Sequence, residues 1–242
     1  MKSLSISANG KQLAAVLHEP VGGSSDTVLI ICHGFRGSKE GGGRAFKLAN
    51  RAAKLGVYVL RFDFTPQEML SCQLKELTAV VGYCRNFIAP CIILLGRSMG
   101  GSAALAFSAA DRQIAGLCLW STPWDLQETF RLSLGQDYEM LRTGNSIIKE
   151  DEWGFLQLLP GFVKDFENFD LLRLAKSLPP IPVLIIHGSQ DAIVPVCKAK
   201  MLWEKILSPK QLTVIDGGDH QFLHHSEQAT DTVINWLSSQ VL

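Results

Sequence analysis

Short apolar runs alternate with longer amphipathic stretches along most of the chain, a pattern that predicts strands followed by helices. The predicted strands cover residues 4–7, 13–17, 28–32, 57–62, 91–95, 114–119, 183–186 and 212–215. The predicted helices cover residues 44–55, 68–87, 99–110, 196–206 and 228–237. Asn9-Gly10, a dipeptide typical of tight turns, joins the first two strands as a hairpin. Buried strands separated by helices predict an α/β fold, with a mostly parallel sheet and helices on both faces.

The alternation stops after Pro123 and resumes near residue 183. The residues between are rich in phenylalanine, tryptophan, leucine and acidic side chains, and they contain no clear strand. We therefore predict a small helical lid insertion at residues 122–178, within a single domain that spans residues 1–242. Most of its aromatic rings are expected to form the lid's own core, with Trp124 or Trp153 as candidates for lining a pocket.

Composition and charge exclude several classes of function. The 242 residues are 47% hydrophobic, which is enough for a substantial core, and 23 basic side chains balance 23 acidic ones. A net charge of zero provides no field that would favour nucleic acid or a membrane surface. No apolar run approaches the ~20 residues of a membrane span, and residues 1–9 lack the apolar core of a signal peptide. We expect a cytoplasmic protein that neither binds nucleic acid nor spans a membrane.

Of the six cysteines, Cys32, Cys91 and Cys118 lie in or beside apolar runs typical of strands. We interpret these three as small buried hydrophobes and not as disulfide partners, because nothing in the sequence indicates secretion. Neither a CxxC nor an HExxH spacing occurs, so a bound metal is not expected. The sequence contains no feature that fixes an oligomeric state.

The segment Gly96-Arg97-Ser98-Met99-Gly100 has the strongest chemical signature in the chain. It follows the strand predicted at residues 91–95 and precedes a helix rich in small residues. A Gly-x-Ser-x-Gly turn between a strand and a helix is the context of a nucleophile elbow, which exposes the serine hydroxyl on a strained backbone. Ser98 is therefore the candidate nucleophile, and a turn needed only for packing is the alternative interpretation.

A serine hydroxyl needs a general base, and the base needs an acid that orients it. In elbow-type enzymes these partners follow the serine in the order acid, then histidine. Asp191 lies in the loop after the strand at residues 183–186, and His220 lies in the loop after the strand at residues 212–215. Ligand sites in open α/β sheets gather at the carboxyl ends of strands, so we expect Ser98, Asp191 and His220 on that edge.

Other acids and histidines compete for these roles. Asp216 and Asp219 are alternative acids, but Asp219 directly precedes the candidate base, and neighbours in sequence rarely present their side chains to each other. His224 and His225 are alternative bases that are expected on the surface at the start of the last helix. Two further histidines, each before a glycine at a strand end, are expected to hydrogen-bond the backbone: His33 and His187.

An oxyanion hole requires two backbone N–H groups aimed at the reacting carbonyl. One donor is expected to be Met99, the residue after the candidate nucleophile. The second is expected from the loop His33-Gly34-Phe35-Arg36-Gly37 after the third strand, where Phe35 has the natural position.

These segments resemble the α/β-hydrolase superfamily, and within it the small bacterial serine esterases grouped with cinnamoyl and feruloyl esterases, monoacylglycerol lipases and serine aminopeptidases. The matching segments are His33-Gly34-Phe35, Gly96 to Gly100, His187-Gly188-x-x-Asp191 with Val194-Pro195, and Gly218-x-His220. The resemblance covers nearly the whole chain and implies a lid that roofs an acyl pocket. It implies these roles: nucleophile Ser98, base His220, acid Asp191, and oxyanion donors Phe35 and Met99.

The chain departs from this family pattern after Phe64. Relatives usually continue with a glycine-rich turn and a longer loop, whereas this chain reads Thr65-Pro66-Gln67-Glu68 and enters a helix at once. We expect the shortened loop to leave the pocket more open or differently shaped.

The leading functional hypothesis is a serine carboxylesterase that cleaves small or medium acyl esters and needs no cofactor. An aminopeptidase or amidase would use the same triad, with an acidic residue near the mouth to hold an α-amino group. The acidic candidates in the insertion are Glu128, Asp137, Glu152 and Asp165. A ligand receptor that keeps the triad without hydrolysis is a third hypothesis. Arg97 has two interpretations, a ligand for a substrate carboxylate or a solvent or ion-pair role under the lid.

Overall fold

The computed structural model describes residues 1–242. Its strands are β1 (Lys2–Ala8), β2 (Lys11–His18), β3 (Thr27–Cys32), β4 (Tyr58–Phe62), β5 (Cys91–Arg97), β6 (Ile114–Trp120), β7 (Ile147–Asp151), β8 (Gly154–Leu158), β9 (Val183–Gly188) and β10 (Lys210–Ile215). Its α-helices are α1 (Arg44–Ala53), α2 (Leu70–Phe87), α3 (Met99–Ala110), α4 (Leu126–Leu134), α5 (Gln136–Arg142), α6 (Gly161–Lys164), α7 (Leu171–Lys176), α8 (Val196–Lys205) and α9 (Ser226–Trp236). Short 3₁₀ turns cover Gly41–Gly43 and Asp165–Asn168, and a π-helical turn covers Leu237–Val241.

Eight strands form one sheet in the order β1-β2-β4-β3-β5-β6-β9-β10. The pairs β1·β2 and β2·β4 are antiparallel, and every other neighbouring pair is parallel. Asn9 and Gly10 both adopt positive φ, at 55° and 75°, which closes the first hairpin as predicted. The mostly parallel α/β sheet and all the predicted strands and helices are confirmed, with small shifts at their ends.

The sheet is buried on both faces because successive side chains of its central strands point to opposite sides. Leu29 and Ile93 pack with α1 and α9 on one face. Ile30 and Ile92 pack with α2, α3 and α8 on the other. The register aligns the strand ends, since Cys32 pairs with Gly96 in β3·β5 and Gly188 with Ile215 in β9·β10. The loops that follow these strands therefore emerge along one edge.

The chain between β6 and β9 contains α4, α5, α6 and α7, and it also forms an antiparallel hairpin of β7 and β8. The expectation that this segment contains no strand is wrong at the hairpin. Its β8 alternates with period two, because Leu156 and Leu158 are buried while Phe155 and Gln157 are exposed. Gly154, at a φ of 90°, begins β8 after the tight turn.

None of the helices is both long enough and apolar enough to cross a membrane.

Candidate active site

Ser98 occupies the turn between β5 and α3, with φ 51° and ψ −127°. Positive φ is uncommon for a residue other than glycine and stores strain unless the surroundings hold it. The backbone N–H of Ser98 donates to the carbonyl of Trp120 at 2.9 Å, which fixes the turn against β6. Gly100 allows the turn to pass under the neighbouring loop, since a Cβ there would lie 2.2 Å from the carbonyl oxygen of His33. The local sequence thus presents the hydroxyl on a rigid, strained turn.

The three residues predicted for the triad form one hydrogen-bonded chain. Nε2 of His220 lies 3.1 Å from Oγ of Ser98, and Nδ1 of His220 lies 2.8 Å from Oδ2 of Asp191. Asp191 is buried, and its other oxygen accepts the backbone N–H groups of Ile193 at 3.0 Å and Val194 at 2.8 Å. The carboxylate is therefore held in place from both sides, and it aligns the imidazole with the serine hydroxyl.

The electrostatics of Asp191 favour its ionised form. Burial by itself would raise the pKa of this carboxyl, but the hydrogen bond and charge of His220 and the N–H of Val194 outweigh it and hold the pKa below its usual value. His187 lies directly behind, with Nε2 3.4 Å from Oδ2 of Asp191 and 2.7 Å from the carbonyl oxygen of Val194. Burial lowers the pKa of His187, so this neutral imidazole donates Nε2–H to the backbone carbonyl.

The loop after β3 passes against the serine. A Cβ on Gly34 would lie 2.9 Å from Cβ of Ser98. His33 braces the loop, because its Nδ1–H donates to the carbonyl of Gly34 at 2.8 Å while Nε2 accepts the N–H of Phe64 at 2.9 Å. The backbone N–H groups of Phe35 and Met99 donate to no protein acceptor. These two N–H groups lie on the two segments that meet at Ser98, so both are available as candidate oxyanion donors.

A cleft of about 440 Å³ opens over Ser98 and His220. The rings of Phe35, Phe130 and Trp153 line it. Of the two tryptophans considered from the sequence, Trp153 therefore lines the cleft. Trp124 faces elsewhere, because its Nε1 donates to the carbonyl of Lys198 at 3.0 Å.

The β7–β8 hairpin is tied to the loop that follows β3. Arg36 donates two hydrogen bonds of 2.7 Å to the Asp151 carboxylate and a third, of 2.8 Å, to the carbonyl of Gly154. Gln67, in the shortened loop after β4, donates to the carbonyl of Phe155 at 2.8 Å and accepts the N–H of Gln157 at 2.6 Å. The short loop thus clamps the hairpin that carries a ring of the cleft wall.

The rival acids have other partners. Asp216 accepts from the hydroxyl of Ser189, and Asp219 accepts from the N–H of Leu223. None of the four acidic candidates for an amino group lines the cleft. Each accepts a hydrogen bond from another residue: Glu128 from Arg131, Asp137 from Lys149, Glu152 from Trp153 and Asp165 from Ser71. No group of three or more His, Cys, Asp or Glu side chains is arranged to hold a metal ion.

The sequence analysis did not single out Arg44, which lines the cleft together with Arg97. Arg44 follows three glycines and begins α1, a position at which a basic residue has no distinctive pattern. Only the fold brings it beside the triad.

A model described as the alpha/beta hydrolase family matches residues 29–236. The chain belongs to the alpha/beta hydrolase family. This assignment agrees with the sheet order, with the position of Ser98 after β5 and with the resemblance drawn from the sequence.

Esterases are among the solved structures with this fold. Est1E from Butyrivibrio proteoclasticus superposes with a TM-score of 0.86 at 26% identity, covering 99% of this chain and 98% of that one. An esterase of Pyrococcus furiosus superposes with a TM-score of 0.77 at 21% identity, covering 100% of this chain and 91% of that one. The P. furiosus structure shows the shared fold alone, whereas the family match and the similarity to Est1E support hydrolase activity of the esterase type.

Curated relatives match only in part. A protein of Synechocystis, named as a candidate non-heme chloroperoxidase, is 33% identical over 85 residues, which are 35% of this chain and 29% of that protein. The match thus spans less than a third of that relative's length.

Proposed function

We propose that the protein is a serine carboxylesterase that hydrolyses small or medium acyl esters. The observation that carries the proposal is the continuous chain from the Ser98 hydroxyl through His220 to Asp191, beside the free N–H groups of Phe35 and Met99. No acidic side chain lines the cleft to hold an α-amino group, which favours an ester over an aminopeptidase substrate.

The proposed reaction has two stages. Oγ of Ser98 attacks the acyl carbon while Nε2 of His220 takes its proton, and the ionised Asp191 stabilises the imidazolium. The N–H groups of Phe35 and Met99 stabilise the tetrahedral oxyanion, and losing one such donor typically costs about 2.7–4 kcal/mol of barrier. The alcohol leaves with the proton from His220, and an acyl ester on Oγ remains. Water then gives a proton to His220 and attacks the acyl carbon. The bond from that carbon to Oγ breaks, the acid leaves, and His220 returns the proton to Oγ of Ser98.

The segment at residues 122–178 is proposed to act as a lid over the acyl pocket. Phe130 of α4 and Trp153 of the hairpin turn supply two rings of the cleft wall. Est1E, to which this chain is similar, has been solved with ferulic acid bound, so a hydroxycinnamate ester is a suitable probe of how large an acyl group the cleft admits.

The proposal is tested by steady-state hydrolysis of p-nitrophenyl acetate, propionate and butyrate. Wild type is expected to turn over repeatedly, and Ser98→Ala is expected to lose at least about 10³-fold in kcat, because no other group supplies the nucleophile. Ser24→Ala is the matched control, because it removes an exposed hydroxyl in the segment between β2 and β3. Wild-type turnover in Ser98→Ala would refute the mechanism.

Two further measurements separate the alternatives. An aminoacyl anilide assayed beside the esters would favour an amidase if it were the better substrate. A single slow turnover with tightly held product would favour a ligand receptor, and rapid multiple turnover would reject it.

A further inference from the structure

Two guanidinium groups line the cleft without an acidic partner. Arg97 precedes Ser98, Arg44 begins α1, and both are half-buried in the wall that contains Ser98 and His220. Other cations around this cleft are ion-paired: Arg36 with Asp151 at 2.7 Å and Lys39 with Asp63 at 2.6 Å. Neither Arg44 nor Arg97 forms a salt bridge with the protein.

Both groups keep unused donors. Arg97 donates only through Nη2, to the carbonyl of His220 at 3.0 Å and to Oε1 of Gln221 at 2.7 Å. Arg44 donates through Nη1 to the carbonyl of Gln221 at 2.6 Å and through Nε to the carbonyl of Gly41 at 3.2 Å. A guanidinium has five N–H groups in a planar fork. Nε and Nη1 of Arg97 and Nη2 of Arg44 therefore have no protein acceptor.

Two like charges in a concave, partly dehydrated wall repel each other, and no acidic side chain lines that wall to form an ion pair with either one. Burial, and then the charge of Arg44, lower the pKa of Arg97 to about 10, against the opposing charges of Asp191 and Asp219. Arg97 therefore stays protonated at neutral pH. The N-terminus of the ten-residue helix α1 also begins at Arg44 and adds its partial positive charge. An anion between the two guanidinium groups would reduce their repulsion and accept hydrogen bonds from their unpaired N–H groups.

We propose that Arg97 and Arg44 bind a carboxylate of the substrate, so that the preferred esters carry a negative charge close to the scissile bond. This inference rests on the proposed esterase function and narrows its substrate class. Planar forks of N–H donors suit a carboxylate, and such charge-assisted hydrogen bonds are stronger than neutral ones. The carboxylate belongs to either the acyl group or the alcohol group of the ester, and the assay below distinguishes these two positions.

The test compares ester pairs that differ only in charge. Monoethyl succinate and ethyl succinamate probe the acyl half, and 4-butyryloxybenzoate and 4-butyryloxybenzamide probe the alcohol half. Wild type is expected to prefer the charged member of one pair by about tenfold or more in kcat/KM. Raised ionic strength should reduce this preference, because it screens the attraction.

Variants at the two arginines test whether these side chains cause the preference for charged esters. Arg97→Gln and Arg44→Gln are each expected to reduce the ratio of kcat/KM for the charged ester over the neutral one by about tenfold, and Arg44→Lys should retain part of it. Arg112→Gln removes an exposed charge before β6, at the opposite edge of the sheet, and should leave both values unchanged. If Arg97 only positions His220, both esters lose rate equally and the ratio stays at its wild-type value, which overturns the inference.

Binding to Ser98→Ala by calorimetry keeps this inference separable from the esterase proposal. Tighter binding of monoethyl succinate than of ethyl succinamate, or of the charged benzoate than of its amide, supports the carboxylate site even if no ester is hydrolysed. Ser98-dependent hydrolysis of neutral esters, with no preference for charge in rate or binding, overturns the carboxylate site and leaves the esterase proposal standing.

Discussion

Asp191 divides its two carboxylate oxygens between two tasks. Oδ2 faces His220 at 2.8 Å, and Oδ1 accepts two backbone N–H groups of the loop that carries it. The loop bonds fix the side chain, and the charged oxygen then fixes the tautomer of the imidazole, leaving Nε2 free to accept a proton. A buried acid with these partners has one orientation available, which is why the side chains of Asp191, His220 and Ser98 are already aligned.

Asp191→Asn is expected to lower kcat for p-nitrophenyl butyrate by about 10³–10⁴-fold, because the neutral amide does not stabilise the imidazolium and favours the wrong tautomer of the neutral imidazole. The amide oxygen still accepts the loop N–H groups, so the melting temperature should change little by comparison. Asp216→Asn, at an exposed rival acid, is the control and should keep its activity. A loss of less than tenfold in Asp191→Asn would contradict the role proposed for this carboxylate.

The sequence predicts candidate site residues that directly follow a strand. It does not predict site residues that are brought to the cleft only by tertiary packing. Ser98, Asp191 and His220 each lie just beyond a recognisable apolar strand, so their common edge can be inferred. Arg44 has no such marker. Its approach to Arg97 depends on how α1 packs against the sheet, which no local pattern encodes.

The β5–turn–α3 unit requires glycine where two backbones nearly touch. Gly100 lies at the start of α3, where a Cβ would meet the carbonyl oxygens of His33 at 2.2 Å and Cys32 at 2.6 Å. Backbone atoms of a buried strand end cannot move aside as a flexible side chain can. The unit therefore links the geometry of the nucleophile to the packing of β3.

Gly100→Ala is expected to lower the free energy of unfolding by about 1–3 kcal/mol or more, and to lower esterase turnover, because the turn and the loop after β3 must separate. Gly82→Ala is the control, since a Cβ there has no neighbour within 4 Å and lies within α2. That change should stabilise the protein by about 0.5–1 kcal/mol. Denaturant melts measure both, and an unchanged midpoint for Gly100→Ala would contradict the packing argument.

The strands of the main sheet can be predicted from the pattern of hydrophobic residues, whereas the β7–β8 hairpin cannot. Central strands are continuous apolar runs buried on both faces, and such runs are conspicuous in a sequence. The strand β7 buries only Ile147 fully and exposes charged residues such as Lys149 and Glu150. Tertiary contacts, including the clamp from Arg36, hold this hairpin, and these contacts are non-local.

Three histidines in different parts of the molecule favour the neutral form in the folded protein. Burial lowers the pKa of His18, His33 and His187 from the ordinary value of 6.5. His18 is enclosed, with Nδ1 2.9 Å from Oδ1 of Asn50 and Nε2 accepting from Nε of Arg61 at 3.0 Å. The unfolded chain binds protons at these side chains at a higher pH than the native state does.

Stability is therefore expected to be greatest above about pH 6.5 and to fall as pH drops below it toward the lowered native pKa values, by at most about 1.4 kcal/mol per pH unit for each histidine. The carboxylates with lowered pKa values titrate at lower pH and do not account for this decline. Melting temperatures between pH 8 and 5 measure it. His224→Gln, at an exposed histidine, should show the same slope, and a flat wild-type profile would contradict the linkage.

The central claim is that Oγ of Ser98 is the attacking nucleophile. Labelling with a fluorophosphonate tests this claim most directly. Wild-type protein is expected to acquire one adduct, located by peptide mass spectrometry on Ser98, with esterase activity lost in proportion to the labelled fraction. Ser98→Ala should acquire none. An adduct on another residue, or persistent ester hydrolysis in fully labelled protein, would contradict the account.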